Sequence, residues 1–498
     1  MNPDLSPTGT APSAPPHAPG NAVRHKHRWL ALVVLSLAQL MDILDSTIVN
    51  IALPSAQHDL GFPADYRQWV LTGYALAFGS LLLLGGRLSD YFGRKRLFLI
   101  GIGGFALASA VGGAAENFAT LLAARIGQGA FAAMLAPAAL SLLSITFADD
   151  AKERGRAFGI FGAISGAGGA VGLVLGGVLT QGLSWRWCLY ANLIIAAVAF
   201  VGGLVLLHDG DRPQRVRLDV AGTAVVVLGL IGVVFGLGTA ETHGWQDIRT
   251  FGPVLAGVVL VVAFVVIERR VAHPLLPLRV VLDRVRGAAY LTLGICGTGM
   301  FAVFLFLTFY LANTLGFSPV QTGVAFLPMI GLVMVGAVFS GAVLLPRTGP
   351  RPLVPAGCLL AAIGMVLLTG IGADSSYAAD ILPALLVTGA GFGLIFGPVQ
   401  NAATSGVRPH DAGVASAMVT TAQQIGGSIG TAVFSSLATS AIAGYLAAHP
   451  GAAAEATFAG YHLVFWIAAA VFLGSAVLAA LLFRSGPLPL PAEPDRER

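Results

Sequence analysis

Apolar runs of about 20 residues recur along the whole chain, each long enough to cross a hydrocarbon core as a single helix. They predict spans near 29–52, 68–86, 97–115, 119–145, 157–180, 186–207, 218–239, 251–267, 287–312, 321–345, 352–371, 380–404, 411–440 and 460–483. The polar stretches between them are short, so no soluble domain fits among the spans. The pattern predicts an all-α polytopic membrane protein with about fourteen helices, an even number that puts both termini on one side.

Composition agrees with that pattern. The 498 residues are 56% hydrophobic and 10% charged, far from the quarter-charged make-up of a soluble domain. A net charge of +4 raises nucleic acid or anionic lipid as a partner, but the basic residues are scattered over short loops and gather on no single face. Membrane orientation accounts for them better, and no nucleic-acid partner is expected. With the N-terminus inside, 24 of the 28 Lys and Arg fall in cytoplasmic segments and three (Arg67, Arg186, Arg249) outside, with Arg125 inside a span; cytoplasmic loops collect such residues. Cys188, Cys296 and Cys358 sit in apolar runs and resemble neither a disulfide framework nor a metal site. Residues 1–28 are Pro-, Ala- and Ser-rich without an apolar run, which predicts a disordered cytoplasmic tail. The first span is too long and too acidic for the core of a signal peptide, so it is expected to stay uncleaved.

A weak internal symmetry divides the spans. The loop GRLSDYFGRKR after the second has a worn counterpart, AVLLPRTGPR, after the tenth, which keeps Arg347 and Gly349 but has Pro346 in place of Asp90. Pro137 followed by Asp150 is echoed eight spans later by Pro398 followed by Asp411. An offset of eight predicts two six-helix halves, 29–207 and 287–483, with two extra helices in a linker, 208–286, and a second cytoplasmic tail at 484–498. Paired repeats with a site at their interface are a transporter architecture.

Within the first span, LMDILDSTIVNIALP places Asp42 and Asp45 in apolar surroundings. Ionised carboxylates in a membrane face a bundle interior or a watery cavity, find a cationic partner, and serve proton or ion movement. Gln39, Asp42, Asp45, Ser46 and Asn50 fall within an arc of ~140° on one helical face, the expected wall of a substrate cavity. At 1.5 Å per residue, Asp45 lies ~24 Å in from the inner surface and Arg125 ~9 Å in from the outer one. In a core ~30 Å thick these depths nearly coincide, so the two are expected to pair or compete, with protonation of Asp45 releasing Arg125. The alternative is a static buried ion pair that fixes helix packing. Asp42 is left between substrate contact, second proton site and packing.

Several stretches carry a family resemblance. GGRLSDYFGRKRLF (Gly85 to Phe98) is similar to the loop signature G-x-L-x-D-r-x-G-r-k of the major facilitator superfamily, with Tyr91 for the usual basic residue. LDSTIVNIALP (Leu44 to Pro54) and RIGQGAFAA (Arg125 to Ala133) resemble first- and fourth-helix motifs of its fourteen-helix drug:proton antiporter family. Phe131 stands where the second has a glycine. SWRW (184–187), HPLLPL (273–278) and QQIGGSIG (423–430) also look like that family. GAISGAGGAVGLVLGG (Gly162 to Gly177) resembles the antiporter motif ending G-P-x-x-G-G, with Leu173 where the proline would be; its motif-end glycines are Gly172, Gly176 and Gly177. The resemblance implies a conformational latch at Gly86, Asp90, Gly93, Arg94 and Lys95 that holds the halves closed on the inside. It also adds Gln128 to the cavity residues.

What it implies for function is alternating access in a bacterial plasma membrane, exporting a hydrophobic or cationic small molecule against protons. The protein would act as a monomer with no cofactor and no metal. A proton-coupled importer, or a non-transporting sensor or scaffold of the same fold, is the competing expectation. GGSIG (Gly426 to Gly430) and GAGFG (Gly389 to Gly393) mimic enzyme motifs but lie in membrane spans, without the strand–turn–helix setting those motifs need. No Walker A sequence is present, which argues against an ATP-driven pump. The aromatics Phe301, Phe304, Phe306, Phe309, Tyr310 and Phe326 suit an apolar substrate surface, or lipid contact and core.

Overall fold

A computed structural model describes residues 27–63, 66–208, 219–271, 274–408 and 411–486. Most of both expected tails, the basic cluster Arg212 to Arg217, His273 of HPLLPL, and the side chains of Arg67, Leu173 and Phe301 lie outside the described residues.

Among the described residues, fourteen long helices follow one another and no strand occurs. We label them α1 (Arg28–Leu60), α2 (Arg67–Phe92), α3 (Arg94–Gly113), α4 (Phe118–Thr146), α5 (Ala151–Gly182), α6 (Arg186–Leu206) and α7 (Val220–His243). The remainder are α8 (Ile248–Glu268), α9 (Arg284–Asn313), α10 (Pro319–Phe339), α11 (Pro350–Leu368), α12 (Leu382–Ala403), α13 (Ala412–Ala448) and α14 (Ala453–Leu482). α10 continues through a π-helical turn, Ser340–Leu344, and α12 is entered through another, Tyr377–Ile381. Among the described residues, thirteen spans are long and apolar enough to cross a membrane; α5, of 32 residues, matches them in length. Every predicted span has its helix, although α1 runs on to Leu60 and α13 to Ala448.

Loop acids start several helices. The side chains of Asp150, Asp247 and Asp283 each accept backbone N–H groups at the helix that follows, as acceptors placed over unpaired first-turn donors do. Ser318 and Gln321 form a reciprocal capping box at α10. The extra pair, α7 and α8, packs as a hairpin against α2 and α13. Its exit is fixed by Glu268, which accepts the backbone N–H groups of Leu275 and Leu276, both 3.1 Å away.

Helices α1–α6 pack mainly on one another, as do α9–α14, and the two groups meet along α2 and α4 with α13 and along α5 with α10 and α12. The α5 seam is made by glycines. A Cβ on Gly155 would fall on the Gly341 carbonyl, one on Gly159 on the Ala337 carbonyl, and one on Gly162 would lie 3.0 Å from the Gly397 nitrogen. Small residues let membrane helices approach to backbone contact. GGSIG and GAGFG serve the same end: a Cβ on Gly426 would strike Gly294, and one on Gly389 would strike Met329. Phe306, Tyr310 and Phe326 are core residues, with Phe309 turned outward.

Candidate functional site

The polar stripe of α1 straddles a boundary. Asp42 and Asp45, on one flank, are buried in the first six helices, whereas Gln39 and Ser46 are half-buried and Asn50 is exposed. Ser46 donates to the Ile43 carbonyl and Asn50 to the Ser46 carbonyl, at 2.8 and 3.3 Å. These short side chains satisfy themselves on their own helix and leave their outer surface open.

Asp45 is fully buried, and four helices supply its surroundings. Arg125 of α4 donates from Nη1 to its Oδ2 in an ion pair with both side chains at most 1% exposed. Its Oδ1 accepts from Gln128 Nε2 of α4 at 2.8 Å and from Asn192 Nδ2 of α6 at 2.6 Å. Both amides also donate to Ser109 Oγ of α3, which in turn donates to the Leu189 carbonyl. Arg125 is held by Gln128 Oε1 at 2.8 Å, by the Val70 carbonyl, and by the Tyr74 ring, whose centroid lies 4.4 Å from the guanidinium carbon. The same Tyr74 donates its hydroxyl proton to Asp42 Oδ1. Every side chain in this chain of contacts belongs to the first six helices.

Depth along the helices brings Asp45 and Arg125 together. Gln128 does not line a cavity: it is fully buried, with its amide divided between Asp45, Arg125 and Ser109. Its position three residues after Arg125 puts it on the same inward face of α4. Ser109, Asn192 and Tyr74 were not singled out from sequence. Asn192 carries the clearest signal, as the one amide within the long apolar run of α6.

The glycines of α5 lie behind this site. A Cβ on Gly172 would strike the Thr47 hydroxyl, and one on Gly176 would lie 2.9 Å from Ile48 Cγ1. They press α5 against the turn of α1 that follows Asp45, and Gly177 is buried beside them.

On the cytoplasmic side, Asp90 at the end of α2 accepts the Gly413 backbone N–H at the start of α13, 3.1 Å away, and pairs with Arg94 at 3.2 Å. A carboxylate there meets unpaired N–H groups and the positive end of the helix dipole. Gly86 allows the approach, because a Cβ there would lie 2.6 Å from Ala417 Cβ and 2.7 Å from the Gly413 carbonyl. Gly93 turns the chain with φ +96°, a conformation that suits glycine, and Lys95 Nζ donates to the Leu204 carbonyl at 2.8 Å. A second fastening was not foreseen. Arg154 of α5, buried, donates to Asn401 Oδ1 at 2.8 Å, to the Thr404 carbonyl at 3.1 Å and to its hydroxyl at 3.0 Å, all at the end of α12. Asp90 and Arg154 thus hold the start of α13 and the end of α12 respectively.

Comparison with known proteins matches residues 35–431 to the Major Facilitator Superfamily. The chain belongs to that superfamily. It is 49% identical to the puromycin resistance protein pur8 of Streptomyces alboniger over 92% of each chain. It is 39% identical to the cephamycin export protein CmcT of Amycolatopsis lactamdurans over 91% of this chain and 92% of that one. Among solved structures, the proton:xylose symporter XylE superposes with a TM-score of 0.64 at 14% identity, covering 93% of this chain and 97% of that one, a likeness of fold. With thirteen candidate membrane spans among the described residues and such relatives, this superfamily member is a multi-pass protein of the bacterial plasma membrane.

Proposed function

We propose that this transporter exports a hydrophobic or cationic small molecule, an antibiotic or other natural product, in exchange for protons, by alternating access and as a monomer. The observation that carries the reading is the fully buried Asp45, held by Arg125, Gln128 and Asn192 in an otherwise apolar bundle. Puromycin, cephamycin and tetracenomycin C appear in the names of its relatives, which supports the export direction and the class of cargo.

An ionised carboxylate and a guanidinium are tolerated at this depth because each neutralises the other and their remaining polar atoms are hydrogen-bonded. A proton delivered to Asp45 removes that balance. Arg125 then keeps Gln128, the Val70 carbonyl and the Tyr74 ring but has lost its counter-charge, and it moves toward the next available anion or carbonyl. Tyr74 ties this motion to Asp42, which we assign as the second acid of the site. Gln39, Ser46 and Asn50, on the open flank of the same helix, are assigned to the cargo cavity. The halves 29–207 and 287–483 rock about the site, with 208–286 as an appended linker pair. Gly86, Asp90, Gly93, Arg94 and Lys95 act as the inner latch, and the α5 glycines Gly172, Gly176 and Gly177 transmit the change at α1.

The test is flux in proteoliposomes under an imposed pH gradient, with puromycin as probe. Cargo moving opposite to protons supports the exporter, whereas co-directional movement or none counts against it. Asp45→Asn is expected to abolish gradient-driven movement while leaving the protein folded; unchanged gradient-driven export would remove Asp45 from the coupling role.

A further inference from the structure

A groove of about 930 Å³ opens where the cytoplasmic ends of α1 and α5 meet the end of α10. Its lining includes nothing from α9, α12 or α13, so it lies at the outer, cytoplasmic edge of the α5–α10 seam. One wall is apolar and faces the bilayer: Val335 is 66% and Phe339 52% exposed, with Val338 between them. The other wall is polar, formed by Trp29, Asp150, Lys152, Glu153 and Arg156.

The charges on that wall are unevenly spent. Asp150 accepts the backbone N–H groups of Lys152 and Glu153 as the cap of α5. Glu153 is paired with Arg28 at 2.6 Å. Lys152 and Arg156 remain, both exposed and neither with a carboxylate partner among the described residues. Arg156 lies over the Trp29 ring, 5.1 Å from its centroid, and such a ring anchors at the headgroup level of a membrane. With Glu153 matched by Arg28, the two cations outnumber the remaining Asp150 carboxylate by one; beside an interfacial tryptophan, above an apolar wall that descends into the hydrocarbon, they complement a lipid with an anionic head.

We propose that this groove binds one anionic phospholipid of the inner leaflet, its phosphate between Lys152 and Arg156 and an acyl chain along Val335, Val338 and Phe339. The groove bridges α5 of the first six helices and α10 of the last six. A lipid seated in it therefore fastens the seam beside Gly155 and Gly341 on the cytoplasmic side, making the anionic lipid content of the membrane an input to the conformational equilibrium.

The experiment is native mass spectrometry of the purified full chain with added phosphatidylglycerol or phosphatidylcholine. Phosphatidylglycerol is expected to be retained over phosphatidylcholine. Each basic residue near an anionic lipid is worth roughly fivefold in binding, so the double variant Lys152→Gln/Arg156→Gln should lose retention about thirtyfold. Arg269→Gln/Arg270→Gln, which removes the same charge from exposed positions at the end of α8, should retain it. Val338→Trp fills the apolar wall with both cations in place and should also lose the lipid, which decides the matter should the charge variant fail to fold. Equal retention of the two lipids, or unchanged phosphatidylglycerol retention in either groove variant, overturns the proposal.

Discussion

Replacing Arg125 by Met and Asp45 by Asn, singly and together, separates what the buried pair does for the fold from what it does for transport. In Arg125→Met the Asp45 carboxylate keeps only the neutral donors Gln128 and Asn192, and Gln128 Oε1 loses its own donor. Removing one partner of a buried pair costs about 3–5 kcal/mol, because a charge is left unbalanced. Asp45→Asn should cost less, toward the low end of that range, because the guanidinium keeps Gln128, the Val70 carbonyl and the Tyr74 ring. In the double variant neither charge remains, and the loss should shrink to within ~1–2 kcal/mol of the parent, a coupling of at least ~3 kcal/mol. Unfolding of the purified proteins by titration with dodecyl sulfate measures all four corners of the cycle. Simple additivity of the two single losses would refute the mutual dependence of the pair. Flux on the same proteins then separates packing from coupling: a stable double variant that still exports along a pH gradient would leave the pair a structural strut and nothing more.

Tyr74→Phe removes the proton given to Asp42 but keeps the ring under Arg125; it should destabilise by about 1.5–3 kcal/mol, and Tyr74→Leu by a further ~1–2 kcal/mol, read in the same titration. Gly172→Leu should abolish export with the protein still inserted, since its first carbon meets Thr47, whereas Gly169→Ala, whose Cβ would lie 3.8 Å from Thr47 Cγ2, should transport normally. Asp90→Asn keeps an acceptor for Gly413 but loses the charge facing the start of α13, worth about 1 kcal/mol; labelling of a cysteine placed at the buried Ser416 should become about fivefold faster. Arg154→Ala removes the donors to Asn401 and Thr404 and should open the same face, detected by labelling of a cysteine placed at the buried Gln400.

The spans were legible because the bilayer imposes a length and an apolar composition that short polar loops interrupt. The Asp45–Arg125 pairing was legible for a related reason, since two helices crossing one slab share a depth scale. Rotation about the helix axis is not encoded so openly. Gln128 reads as a cavity residue from its motif, yet the packing of α3 and α6 turns it onto Asp45. Ser109 and Asn192 look ordinary alone, as single small polar residues are common in membrane helices, and only their convergence gives them meaning. Tyr74 is apolar enough to vanish into the run of α2. Asp90 could be read as a helix-start acceptor, but that its donor lies on α13, 323 residues later, depends on how the two groups of helices meet. Arg154 is hidden for the opposite reason: in a loop already rich in orienting charges, one more basic residue draws no notice until the end of α12 closes over it.

The glycine seam between α5 and its neighbours α10 and α12 has a mechanical consequence. Where side chains interlock, one surface must climb out of the other to move, and the positions it can occupy are stepped. Gly155 on Gly341, Gly159 on Ala337 and Gly162 on Gly397 present nearly bare main chain on both sides, so the surfaces work as a plain bearing. Rotation along these three contacts meets few rotamer barriers, so stiffness there falls on fastenings such as Arg154 with Asn401 and Thr404. If the halves rock as proposed above, a few removable contacts beside these glycines would carry much of the resistance to that motion.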